Sequence, residues 1–235
     1  MSDHLAKPYE EELLRLNTMV TKMGNLTVEQ LETALQAAEK LDTALATQVI
    51  HREPDADRLE HEIDNLVIRI IALRQPVAVD LRAALSGLRI ANELERICDH
   101  AENLAQRLIA LSGAQGLSFR SLVNLGRFAM AMVKDAMDAY LQANVAKAQD
   151  VWKRDTALDE MYTSLFRELL TYMAEDARRI SGITQMLFMA RDIERVGDRA
   201  TNIAEDVQYL VGGRPVEEER PKADATKSMM APTTP

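Results

Sequence analysis

The residues in this chain with the clearest chemical potential are acidic pairs spaced four positions apart. On an α-helix that spacing puts both carboxylates on one face, where like charges cost about 0.2–0.5 kcal/mol per pair. Repeated like-charge pairs therefore indicate a functional role for the carboxylates that offsets this repulsion. The helical segments contain five of them: Glu53/Asp57, Glu60/Asp64, Glu95/Asp99, Asp155/Asp159 and Glu194/Asp198.

Four of these pairs recur at equivalent positions of an internal repeat. The segment ELERICDHAENLA (93–105) aligns with DIERVGDRATNIA (192–204) at an offset of 99, with six of 13 positions identical. Upstream, HREPDAD (51–57) aligns with KRDTALD (153–159) at an offset of 102. The remaining pair aligns with Tyr162 and Phe166, and we interpret it as an ordinary solvated face. Repetition of this kind predicts a tandem duplication.

Composition and periodicity predict an all-α fold that positions these carboxylates. Hydrophobic residues make up 47% of the chain and aromatic ones only 4%, with 9 Gly and 7 Pro, which is too few turns for a sandwich or barrel. Apolar spacing predicts six long helices, over 9–41, 43–73, 77–111, 118–143, 145–173 and 176–211, with Asp42 as an N-cap. We therefore predict one three-helix bundle over 8–112 and a second over 117–211. The proline-rich stretch 212–235 is predicted to be a disordered tail.

Charge and motif content exclude several classes of protein. A net charge of −9 without a basic block makes nucleic acid an unfavourable partner. One cysteine, Cys98, excludes a disulfide framework and a cysteine-rich zinc site. No apolar stretch approaches the ~18 residues of a membrane span, and the N-terminal sequence lacks the pattern of a secretory signal. The expected location is cytoplasmic.

The position of the acidic pairs on the helices indicates a cation site. In the third predicted helix the packing seam is apolar at Leu81, Leu85 and Leu88, and becomes acidic at Glu95 and Asp99. A second acidic helix along that seam would bring four carboxylates together. Such a group cannot stay fully ionised without a counter-charge.

Protons, metal ions or arginines can supply that counter-charge. Oxygen-only ligands suit hard ions such as magnesium, manganese, calcium or ferric iron. The arginine alternative rests on residues adjacent to the acids, which point about 100° away round the helix and should reach other helices instead. Two asparagines four residues beyond the aspartates are candidate further ligands, donors to the ligands, or simply polar surface. These arginines are Arg52, Arg96, Arg154 and Arg195, and the asparagines are Asn103 and Asn202.

The repeated acidic segments resemble the duplicated E(D)-x-x-x-D signature of the PhoU family of phosphate-specific transport accessory proteins. The stretch RQPVAVDLRAAL (74–85) is also similar to a stretch of that family, and the resemblance covers about residues 9–211. Cys98 is a departure, because the family usually has glycine there, as at Gly197. This difference adds bulk beside the acidic residues.

The resemblance implies a tandem pair of three-helix bundles, often a homodimer, that binds metal clusters. It implies a negative regulator of the phosphate-starvation response, placed between a Pst-type phosphate ABC transporter and a sensor histidine kinase at the inner face of the membrane. The metal, whether iron, manganese, magnesium or zinc, is not distinguished. The implied primary ligands are Glu95, Asp99, Glu194 and Asp198, and the matching ligands on the preceding helices are Glu53, Asp57, Asp155 and Asp159.

We therefore expect a non-enzymatic adaptor that reaches the membrane through protein partners, because an acidic chain is repelled by anionic lipid. Two alternatives stay open at this point. One is a phosphoesterase built on a carboxylate–metal centre, and the other is a metal-free helical scaffold.

Overall fold

The computed structural model describes residues 3–111, 117–218, 220, 222–224 and 226. Within these residues it contains six α-helices and one short 3₁₀ turn, and no strand. The predicted break at 112–116 lies outside the described residues. The helices are α1 (Asp3–Lys40), α2 (Thr43–Arg74), α3 (Val79–Ala110), α4 (Arg120–Leu141), α5 (Val145–Glu175) and α6 (Ile180–Gly212), with the 3₁₀ turn at Ala177–Arg179.

Side-chain caps and left-handed residues set the ends of these helices. Asp42 caps α2 as predicted, since its carboxylate accepts hydrogen bonds from the amides of Ala44 at 2.9 Å and Leu45 at 3.1 Å. In the equivalent position of the second half, Asn144 caps α5. Gly213 ends α6 with a φ of 71°, a left-handed conformation that glycine adopts without strain.

Each half of the chain is a three-helix bundle, as predicted. Helices α1, α2 and α3 pack against one another, and α4, α5 and α6 do the same. Most of the buried residues are aliphatic. Ile63, Ile90 and Leu94 are fully buried in the first half, and Leu122 and Met132 in the second. The two bundles share one continuous core, because α1 packs on α4 and α3 packs on α6.

The contact between α3 and α6 carries polar pairs that follow the internal repeat. Arg199 Nη1 lies 3.3 Å from Glu93 Oε2, and His100, the residue equivalent to Arg199, places Nδ1 3.3 Å from Asp192 Oδ1. Glu93 and Asp192 are equivalent residues of the two repeats, so each half offers the same carboxylate to the other. The two halves therefore face each other about an approximate twofold axis.

None of the helices in the described residues combines the length and the apolar character needed to cross a bilayer.

Candidate functional site

Antiparallel hairpins bring the predicted acidic residues together twice. Helices α2 and α3 are joined by a short connection, so position 53 lies opposite 99 and position 57 opposite 95. Helices α5 and α6 place 155 opposite 198 and 159 opposite 194 in the same way. We call Glu53, Asp57, Glu95 and Asp99 the first acidic cluster, and Asp155, Asp159, Glu194 and Asp198 the second acidic cluster.

In the first acidic cluster the carboxylates act on one another across the two helices. Burial raises the pKa of Glu53 to about 7, and the negative charges of Asp57, Glu102 and Asp99 add to this. Burial also raises the pKa of Glu95, with a further contribution from Asp99, although Arg96 opposes the shift, and a smaller contribution from Asp57 on α2. These mutual effects indicate negative charge that the protein does not fully compensate.

The adjacent arginines only partly behave as predicted. Arg52 reaches α1 and pairs with Glu29 at 2.6 Å, and Arg154 reaches α4 and pairs with Asp135 at 2.7 Å. The expectation that every such arginine would avoid the neighbouring acid is wrong for Arg96, which folds back to within 3.4 Å of Glu95 Oε2 and 3.2 Å of Asp99 Oδ2. A long guanidinium side chain can reach round the helix to its own neighbour. The fourth arginine, Arg195, is exposed.

The second acidic cluster is more deeply buried. Asp155 is 1% exposed and Asp159 is 2% exposed. Burial raises the pKa of Glu194 to about 7, together with the charges of Asp198 and Asp159, although Arg191 opposes this. Arg191 Nε lies 4.0 Å from Glu194 Oε2, and that oxygen is buried with no hydrogen-bond donor among the described residues. A buried carboxylate oxygen in this condition is costly unless a cation reaches it.

Basic residues that follow α6 fold back onto the second acidic cluster. Arg220 donates from Nε and Nη2 to both oxygens of Asp155, each at 2.8 Å, and Nη2 also lies 3.0 Å from Asp198 Oδ1. Lys222 Nζ lies 3.2 Å from the same oxygen of Asp198. The amide of Ala223 donates to Asp159 Oδ2 at 2.8 Å. We call Arg220, Lys222 and Ala223 the C-terminal segment.

Sequence reasoning missed these contacts, because the stretch 212–235 carries no periodic pattern and is predicted to be disordered. Residues 227–235 lie outside the described residues. The one sequence feature that could have indicated these contacts is the pair of basic residues, Arg220 and Lys222, in a chain that is acidic overall.

The two candidate asparagines are in different surroundings. Asn202 donates from Nδ2 to Glu93 Oε1 at 3.2 Å, so it belongs to the contact between α3 and α6. Asn103 is half-buried on α3, one turn beyond Asp99.

Cys98 and Gly197 are equivalent residues with different neighbours. Cys98 is buried and its Sγ contacts Thr27 Oγ1 on α1 at 3.4 Å. Burial raises the pKa of this thiol to about 12, so it stays protonated and suits the core rather than a metal. At Gly197 a Cβ atom would lie 1.9 Å from Leu158 Cδ2. Glycine is therefore what allows α5 and α6 to pack this closely beside the second acidic cluster.

The donor set of both clusters fits an oxygen-preferring metal ion. All eight side chains are carboxylates, and Arg220 Nη2 already occupies a cationic position that bridges α5 and α6. As the side chains stand, no group of three or more His, Cys, Asp or Glu residues in the described part of the chain is arranged to hold an ion. Binding would require the carboxylates to reorient.

Comparison with known proteins defines the family. The PhoU domain model matches the chain twice, at residues 20–108 and 122–207. The chain is 41% identical over 226 residues to the phosphate-specific transport system accessory protein PhoU homolog of Caulobacter vibrioides, covering 95% of this chain and 98% of that protein. It is 43% identical over 227 residues to the homolog of the same name from Xylella fastidiosa strain Temecula1, covering 96% and 94% of the two chains.

Solved structures give the same result. The crystal structure of PhoU from Pseudomonas aeruginosa matches with a TM-score of 0.85 at 36% identity, over 88% of this chain and all of that one. The PhoU crystal structure from Streptococcus pneumoniae matches with a TM-score of 0.84 at 27% identity, over 89% of this chain and all of that one. Two tandem helical bundles and a repeated acidic signature thus define this class of protein. The chain belongs to the PhoU family.

Proposed function

We propose that this chain is a metal-binding accessory protein that regulates a phosphate-specific transport system and has no catalytic activity of its own. The role in phosphate transport is supported by the names of its relatives, which match it over nearly their whole length. The absence of catalysis is part of the proposal, and it agrees with the description of those relatives as accessory proteins.

The observation that carries the metal assignment is the repeated convergence of carboxylates from two helices. In each half, acids on one helix raise the pKa of an acid on the other, as Asp99 does for Glu53 and Asp159 does for Glu194. The Oε2 atom of Glu194 is buried and accepts no hydrogen bond from the described residues, which supports the same proposal. A bound metal ion would supply positive charge to both helices of a hairpin.

Residues from both helices of a hairpin would hold the same ion, and this would make the hairpin rigid. Glu53 and Asp57 would hold the ion from α2, while Glu95 and Asp99 would hold it from α3. A shared ligand set of this kind fixes the two helices of a hairpin relative to each other. The protein would thereby present a defined surface to its partners.

The proposed partners are components of a phosphate ABC transporter and a sensor histidine kinase, with the chain acting as a negative regulator of the phosphate-starvation response. Family resemblance supports these partners and a homodimeric state. The net charge of −9 disfavours direct adhesion to anionic lipid, so attachment at the cytoplasmic face would occur through proteins.

Elemental analysis of isosteric variants tests the metal assignment. We expect the combination Glu95→Gln, Asp99→Asn, Glu194→Gln and Asp198→Asn to abolish metal retention after equilibration with iron, manganese, magnesium or zinc, with helicity unchanged. The matched control is Glu62→Gln with Glu160→Gln, which removes exposed carboxylates from the same hairpins. Metal content that is equal in the two variants would reject the assignment, and absence of metal from the wild-type chain as well would favour the metal-free scaffold.

A reporter of the phosphate-starvation response tests the regulatory role. In a host that lacks its own protein of this family, the wild-type chain should restore repression at high phosphate, and the quadruple variant should not. Repression by the quadruple variant equal to that of the wild type would separate regulation from metal binding. Turnover of generic phosphoesters by the metal-loaded protein would instead favour the phosphoesterase.

A further inference from the structure

The C-terminal segment supplies two full positive charges to the second acidic cluster. Arg220 is 14% exposed and binds Asp155 through two parallel hydrogen bonds, while the same guanidinium contacts Asp198 on the neighbouring helix. Bidentate arginine–carboxylate pairs of this kind are among the stronger polar contacts in proteins. The segment therefore occupies the position at which a cation would join α5 to α6.

The other contacts of the segment engage the same carboxylates. Lys222 pairs with Asp198, and the amide of Ala223 hydrogen-bonds Asp159. Three of the four acids of the second acidic cluster thus use their oxygens on the segment. The fourth, Glu194, keeps an oxygen with no hydrogen-bond donor among the described residues.

The first acidic cluster has no equivalent cover among the described residues. Its nearby cation, Arg96, is 52% exposed and belongs to α3 itself. The chain that leaves α3 runs on to α4, which begins at Arg120. The two clusters thus share their acidic residues and differ in whether a separate segment neutralises them.

We infer that the C-terminal segment and a metal ion bind the second acidic cluster in competition, so that metal entry there releases the segment and docking of the segment excludes the metal. This inference rests on the proposed metal-binding function. A metal ion needs the oxygens of Asp155, Asp159 and Asp198 that the segment now engages. By linkage, the factor by which the segment weakens metal binding equals the factor by which the metal weakens docking of the segment.

Manganese titration in an isolating background measures the competition. Glu53→Gln, Asp57→Asn, Glu95→Gln and Asp99→Asn together neutralise the first acidic cluster, so calorimetry or electron paramagnetic resonance reports the second cluster. Adding Arg220→Gln and Lys222→Gln should strengthen Mn²⁺ binding at least ~10-fold, within the usual range of such couplings. Arg214→Gln is the matched control, because Arg214 is an exposed arginine of the same tail with no ion pair described. It should leave the affinity unchanged.

Proteolysis of the unaltered chain gives an independent measurement, which does not depend on the folding of a variant. Trypsin cleaves after Lys222, whereas Arg214 and Arg220 precede prolines that block cleavage. The Lys222 side chain is half-exposed, but the amide of the 222–223 bond donates to Asp159 Oδ2 in the docked state. Release of the segment by Mn²⁺ should therefore accelerate cleavage at 222–223 several-fold. The cleavage of a small model substrate in the same mixture corrects for any effect of Mn²⁺ on trypsin.

The possible results separate the two proposals. If Mn²⁺ binds in the isolating background with an affinity that Arg220→Gln and Lys222→Gln do not change, or if it leaves cleavage at Lys222 unchanged, the competition is refuted and the metal function stands. If no variant binds any metal, both are refuted.

Discussion

At the scale of single residues, the contact between Gly197 and Leu158 decides how closely α6 approaches α5. Leu158 is fully buried, and its Cδ2 atom fills the space that a side chain at 197 would need. In the first half the equivalent Cys98 fits because it faces Thr27 on α1. The same helix position is therefore a close helix approach in one half and an ordinary core position in the other.

We expect Gly197→Ala to lower the free energy of unfolding by about 1–2 kcal/mol. Overpacking against Leu158 costs about 1–3 kcal/mol, and the better helix propensity of alanine returns up to about 1 kcal/mol. Urea denaturation of metal-free protein measures the change. Gly212→Ala is the control, because nothing lies within 4 Å of a Cβ atom there. Equal stability of the two variants would contradict the close approach of α5 and α6.

At the scale of elements, the contact between α3 and α6 contains a partly buried carboxylate, Asp206, that is only weakly paired. Burial raises the pKa of Asp206 to about 6, with smaller contributions from Glu93 and Glu205, and Arg89 opposes the shift. Arg89 Nη1 lies 3.4 Å from Asp206 Oδ1. Glu60 of α2 borders the same cleft and adds no positive charge.

This environment predicts a pH dependence of stability. A carboxyl group whose pKa is higher in the folded state than its ordinary value of 3.8 favours folding when it is protonated. Its contribution is therefore present below about pH 4 and is lost as the pH rises through about 6. Asp206→Asn should remove this component, so the variant should be more stable than the wild type by about 1–2 kcal/mol at pH 7.5, after allowance for solvent screening. Denaturation between pH 4 and pH 8 measures the difference, with Glu62→Gln as the control. A constant difference across that range would contradict the assignment.

Asp192, another carboxylate in the contact between α3 and α6, is paired more closely with an arginine than Asp206 is. Asp192 is 8% exposed, Arg107 pairs with it at 3.1 Å, and the Arg107 guanidinium lies 4.7 Å from the ring centre of Phe188. Removing the guanidinium leaves a buried carboxylate with His100 at 3.3 Å as its remaining partner.

Arg107→Gln should therefore destabilise the fold by about 2 kcal/mol, the usual cost of an under-satisfied buried acceptor. Arg89→Gln, which breaks the more exposed pair with Asp206, should cost less than about 1 kcal/mol. Thermal unfolding of the two variants side by side gives the comparison. A larger loss of stability in Arg89→Gln than in Arg107→Gln would contradict the prediction that Asp192 depends more on its arginine than Asp206 does.

At the scale of the whole molecule, the duplication predicts that metal content divides between the halves. Glu95→Gln with Asp99→Asn should remove the share held by the first half, and Glu194→Gln with Asp198→Asn the share held by the second. The distant sites should contribute additively. Because the C-terminal segment covers the second acidic cluster, the first substitution pair should cause the larger loss in elemental analysis. Loss of all metal in both double variants would contradict independent sites.

The fold and the pairing of the acids follow from periodicity, so the sequence predicts them well. The four-residue spacing of Glu95 and Asp99 and its copy in the repeat are local patterns, and the short connection within each hairpin sets which residues of the two helices face each other. The contact of Arg220 with Asp155 joins residues far apart in a stretch without periodicity, and no local pattern encodes it. Asn202 continues the acidic stripe in sequence, yet α6 packs on both α5 and α3, and this residue faces α3.

The connection that follows each acidic hairpin makes the duplicated halves unequal. The chain that leaves α3 proceeds to α4, whereas the stretch that follows α6 returns to the hairpin of α5 and α6. A duplication begins with two equivalent copies. Here the connections that follow them give the two acidic clusters different surroundings. Among the described residues, the first acidic cluster stays open to its surroundings, and the second carries a built-in occupant.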